Sequence, residues 1–62
     1  MKYLLDDVMR ERKLVIEHDK ALNCVFFNIQ DEENSSCANF AVDDDLLYEL
    51  IGVLHHIQKQ MK

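Results

Sequence analysis

Residues 22–47 read LNCVFFNIQDEENSSCANFAVDDDLL, and the fold is decided inside this stretch. Residues 22–30 and 37–42 are two β-forming runs, the first rich in Val, Phe and Ile. The connection between them, residues 31–36, is polar and contains Ser and Asn, as a hairpin loop requires. Setting Phe27 opposite Phe40 also sets Val25 opposite Val42 and Ile29 opposite Ala38, so one side of the hairpin becomes continuously apolar. In that register Phe26 points the other way.

Downstream, Leu46, Leu47, Leu50, Ile51, Val53, Leu54, Ile57 and Met61 share an arc of roughly 160° at a helical 100° per residue. This predicts a long C-terminal helix facing a core. Asp43 suits its N-cap, Asp44 and Asp45 complement the positive end of its dipole, and Lys59 and Lys62 the negative end. Upstream, residues 13–18 read as another strand, whose Leu14 and Ile16 join the apolar face if the chain turns near Asp19 and Lys20. At the start, Met1, Leu4, Leu5, Val8 and Met9 share a helical face, and no turn residue separates them from Lys13. A short N-terminal helix is therefore expected there, with an extra strand as the alternative. The expected fold class is α+β: a three-stranded antiparallel β-meander with a long C-terminal helix packed on one face and a short N-terminal helix, in the order αβββα.

Sixty-two residues suffice for a single small domain, 1–62. With 48% hydrophobic and 31% charged residues, no Pro and one Gly, the chain is of globular rather than disordered composition. A core this small gains from a disulfide, a metal or a partner subunit, so the cysteines and histidines matter. Cys24 and Cys37 fall at opposite ends of their strands in the Phe27–Phe40 register, about 20 Å apart, too far for a disulfide. His55 and His56 diverge by about 100° around the helix, whereas helical ligand pairs need i, i+4 spacing. Neither a metal nor a cofactor is expected. A homodimer then becomes the expected source of extra stability.

No Gly-x-Ser-x-Gly elbow or phosphate-binding glycine loop occurs, and the carboxylates run contiguously at loop and cap positions instead of facing one another across an apolar cleft. The sequence thus points away from an enzyme, with no catalytic residue to nominate. Residues 1–5 lack the apolar stretch of a signal peptide or a membrane span, which leads us to expect a cytoplasmic chain with no membrane association. In that setting the glycosylation pattern at Asn34 is read as chance.

The net charge is −5, and all of the excess lies in residues 31–62, chiefly Asp31-Glu32-Glu33 and Asp43-Asp44-Asp45. Such clusters repel phosphate and favour a protein partner with a basic surface, which makes nucleic acid an unfavoured ligand. Three surfaces are candidates for that role. Glu17, Asp19, Asp43, Asp44 and Asp45 would gather at one end of the sheet as an acidic pole, whose plainer explanation is capping and solubility. Val15, Cys24, Phe26, Asn28, Cys37, Asn39 and Ala41 would lie exposed on the sheet face away from the helix, with Phe26 unusually bare. Tyr48, Gly52 and His55 line the reverse side of the helix, where a Gly costs about 1 kcal/mol relative to Ala unless something approaches closely.

The expected function is a small acidic protein-interaction module, of the kind found among bacterial or phage accessory proteins, that regulates or inhibits a larger protein, such as one that handles nucleic acid. Two alternatives remain open on sequence grounds. One is nucleic-acid binding through Arg10, Arg12, Lys13 and Lys20. The other is a small enzyme or ligand-binding site formed between subunits, near Tyr48, His55 and Cys24.

Overall fold

The computed structural model describes residues 1–33 and 35–61, so Asn34 and Lys62, which entered the sequence analysis, lie outside the described residues. The elements run β1 (Lys2–Asp6), β2 (Lys13–Asp19), β3 (Cys24–Gln30), β4 (Ser36–Val42) and α1 (Asp44–Gln60). The strands form one antiparallel sheet in the order β1-β2-β3-β4. The chain is α+β, with four strands where three were expected.

The centre of the sheet has the anticipated register: Phe27 pairs with Phe40, Val25 with Val42 and Ile29 with Ala38. Leu14 pairs with Ile29 and Ile16 with Phe27, so both join the same face. Asp19 makes the turn after β2, its carboxylate accepting the backbone N–H groups of Ala21 and Leu22 at 3.0 and 3.2 Å, while Asn23 takes a φ of 51°. In the β3–β4 loop, Asp31 similarly accepts N–H groups from Glu33 and Ser35. The register shifts between Ile29 and Gln30, and Cys37 is the residue skipped opposite them, a β-bulge.

The N-terminal helix is not formed. Residues 2–6 pair with β2 instead, Tyr3 opposite Ile16 and Leu5 opposite Leu14. Two features missing from the sequence argument permit this. Asp7 accepts the N–H groups of Glu11 and Arg12 through one carboxylate oxygen, and Arg10 adopts a φ of 59°. An arginine in the left-handed region does the work usually given to Gly or Asn. The apolar residues at the start fit both periods, and pairing with β2 satisfies backbone groups that a very short helix would leave open at both ends.

The helix starts as its sequence predicts. Asp43 is the N-cap and accepts the Leu46 N–H at 2.9 Å, with Asp44 and Asp45 in the first turn and Lys59 in the last. It lies on the Phe27 side of the sheet, yet none of its described residues is buried. Among the described residues the buried hydrophobics are Val15 and Val42, at 5% and 2% exposure. The accessible surface is 5569 Å², against about 4,200 Å² for a compact monomer of this mass. The radius of gyration is 13.0 Å, against about 10.6 Å for a compact chain of this length.

Candidate functional site

The sheet face beneath the helix is built from every second residue of four strands. Its middle row is Tyr3, Ile16, Phe27 and Phe40, flanked on one side by His18, Val25 and Val42 and on the other by Leu5, Leu14, Ile29 and Ala38. Tyr3, Ile16, His18, Val25 and Phe27 line a cleft of about 320 Å³ with Leu47, Leu50, Ile51 and Leu54 of α1. The helix therefore covers the part of the face nearest Val42, where the one-residue connection at Asp43 anchors it. Leu5, Ile29, Ala38 and Phe40 stay exposed. Beyond the cleft, Val53 and Ile57 are 56% and 48% exposed. Apolar side chains therefore stay open on both the sheet and the helix.

The opposite sheet face differs in chemistry. Lys2, Glu17, Phe26 and Ala41 form one row across the strands, and Leu4, Val15, Asn28 and Asn39 the next. Asn28 hydrogen-bonds through its amide to the Ser36 hydroxyl and to Asn39. The expectation that this whole face is exposed needs correction at Val15, Cys24 and Asn28. Val15 was expected exposed, but it is buried, because it sits on an interior strand between Leu4 and Asn28 with Phe26, Glu17, Lys2 and Gln30 around it. Phe26 is exposed as expected, at 37%, although Tyr3 and Phe40 on the other face are barer. Asn39 and Ala41 are exposed as anticipated, and Cys24 and Asn28 are half-buried.

The acidic residues do share one end of the fold. Asp19 closes β2, Val25 at the neighbouring end of β3 pairs with Val42, and Asp43 to Asp45 follow directly. Much of that acidity is tied to the backbone, however: Asp19 holds the turn, Asp43 caps the helix, and Asp44 accepts the Asp45 N–H. Glu17 has Lys2 as its cross-strand neighbour.

The remaining candidates are scattered. Lys13 and Lys20 lie at opposite ends of β2, about 23 Å apart along an extended strand. Arg12 lies beside Glu11, Asp31, Glu32 and Glu33. The four basic residues thus form no common patch. Tyr48, Gly52 and His55 face away from the sheet, while Cys24 belongs to the sheet face away from the helix, so the supposed intersubunit site is not assembled within one chain. A Cβ at Gly52 would meet nothing within 4 Å. Cys24 and Cys37 are free thiols. No three His, Cys, Asp or Glu side chains among the described residues are placed to hold a metal ion. Among those residues no helix is long and apolar enough to cross a membrane.

Sequence reasoning missed Tyr3 and His18 as cleft residues. His18 carried a signal, since it shares strand parity with Leu14 and Ile16; Tyr3 had none while its segment was read as helix. No protein-family profile, curated protein or solved structure matches the chain.

Proposed function

We propose that this chain is a small acidic, non-enzymatic protein-interaction module of the cytoplasm that docks on a larger protein with a basic surface and regulates or inhibits it. One observation carries the reading: the apolar residues that the sequence provides for a core remain largely uncovered, so the surface exceeds that of a compact monomer by roughly 1,400 Å². Large apolar side chains left exposed on one sheet face and the adjoining helix, among them Leu5, Ile29, Phe40, Val53 and Ile57, are characteristic of interaction sites.

The larger partner is assigned to the other sheet face. There Glu17, Phe26 and Ala41 form a row that ends beside Asp19 and Asp43 to Asp45. Phe26 supplies an apolar anchor and Asn28 and Asn39 supply adaptable hydrogen-bonding groups. The carboxylates steer a basic surface toward this end and raise the association rate more than the final affinity.

Affinity capture with the wild-type chain, Phe26→Asp, and the triple variant Asp43→Asn, Asp44→Asn, Asp45→Asn tests this, with far-UV circular dichroism checking that each remains folded. The captured protein should be lost with Phe26→Asp. With the triple variant it should associate about tenfold more slowly and lose most of its salt dependence. Equal capture by all three, or none by the wild type, contradicts the proposal.

A further inference from the structure

The open helix face has a spacing of its own. Leu46, Leu50, Val53 and Ile57 recur at intervals of four, three and four residues and fall within an arc of about 60°. That is the a/d repeat of a coiled-coil seam. It is offset from the stripe formed by Leu47, Leu50, Ile51 and Leu54, which lines the cleft with the sheet. Leu46, Val53 and Ile57 are exposed and Leu50 is half-buried. The helix therefore carries two apolar stripes that share Leu50, and the sheet engages one of them.

We propose that the second stripe is covered by the same stripe of a second copy of this chain, the two helices packing antiparallel about a two-fold axis near Ile51 and Gly52. The inference rests on reading the open apolar surface as a protein-binding surface, and it names the occupant of the helical part. Three observations favour a second copy. First, the spacing reads the same in both directions, as an isologous contact requires: Leu46 meets the partner's Ile57, and Leu50 meets the partner's Val53. Second, charge selects the antiparallel sense. Asp44 and Asp45 lie in the first turn and Lys59 in the last, so antiparallel packing brings each acidic end to the partner's basic end, whereas parallel packing would set the two aspartate clusters together. Beyond its first turn the helix carries a single carboxylate, Glu49, so the surplus negative charge lies away from the seam. Third, the chain as a whole exposes roughly 1,400 Å² more than a compact monomer of its mass, so it has surface to spare for one subunit's share of a dimer interface, which buries upward of about 1,200 Å² in total.

Disulfide trapping tests the seam and its register. In a background of Cys24→Ser and Cys37→Ser, Leu46→Cys and Ile57→Cys are introduced together. Within one helix these positions are about 16 Å apart and cannot bridge, so mild oxidation should give a covalent dimer of about twice 7.3 kDa on a non-reducing gel. The pair Tyr48→Cys and His55→Cys, on the reverse of the same helix, should stay monomeric. Sedimentation equilibrium of the untagged wild type should give the same doubled mass, and Ile57→Asp should lower it. Equal trapping by the two cysteine pairs, or a folded wild type of 7.3 kDa at about 100 µM, would overturn the inference. A monomer that still captures a different protein through Phe26 removes the second copy and leaves the interaction module. A dimer that captures nothing does the reverse.

Discussion

The sheet and the helix solve opposite halves of the folding problem. β2 and β3 are paired on both sides, and among the described residues the buried side chains are Val15 on β2 and Val42 at the end of β4. Strand pairing alone thus buries a side chain, Val15 on the face away from the helix, although the turns of the sheet depend on an arginine at positive φ and on single aspartate carboxylates. The helix has every local advantage, with an aspartate cap, acidic first turn, basic last turn and 17 residues, yet no described residue of it is buried. Local signals are enough to start and orient a helix. They do not supply the surface that it packs against, and isolated helices of this length are marginal in water.

This contrast can be broken first at Val42, which joins the two regions. Val42→Asp places a carboxylate where the structure offers 2% exposure and should destabilise the chain by at least about 3 kcal/mol, abolishing the cooperative transition in urea. A variant that kept the wild-type midpoint would mean that the sheet–helix junction is not the core. Next comes the cap. Asp43→Ala removes the acceptor of the Leu46 N–H and should cost about 1 kcal/mol, seen as a lower urea midpoint with unchanged slope. The smallest effect has the opposite sign. Gly52 has open space where a Cβ would go, so Gly52→Ala should stabilise by up to about 1 kcal/mol; destabilisation would place another backbone against that glycine.

How much of this was legible in the sequence follows the same division. The β3–β4 register was readable because Val25, Phe27 and Ile29 have matching apolar partners at one parity and none at the other. The helix boundaries were readable from Asp43 and the apolar period. β1 was not, because Met1, Leu4, Leu5, Val8 and Met9 fit a helical face, the turn signal of Asp7 was passed over, and Arg10 at positive φ gives no signal of its own. Val15 was misplaced for a related reason. Parity assigns a side chain to a face, but its burial depends on how many strands flank it, and recognising β1 turns β2 from an edge into an interior strand. The width of the helical apolar arc, about 160°, was itself a sign of the open stripe. A helix lying on one sheet needs an arc nearer 100°, and the excess corresponds to Leu46, Val53 and Ile57.

The separation of the basic residues was missed, although the sequence carried it. Arg10, Arg12 and Lys13 lie seven or more residues from Lys20, and any strand between them carries Lys20 to the far end of the sheet. By contrast, the gathering of Asp19 with Asp43 to Asp45 followed from the meander alone. The use of Asp43 as the cap acceptor was readable as well; that Asp19 holds its turn by accepting the N–H groups of Ala21 and Leu22 was not.

The dependence of thermal unfolding on protein concentration tests most directly whether a second copy completes this fold. If helix pairing supplies the missing cover, raising the concentration about a hundredfold should raise Tm by roughly 10 °C, since dissociation is then part of unfolding. A sharp transition at the same temperature throughout that range would show that the single chain, with its helix face open, is already the complete folding unit.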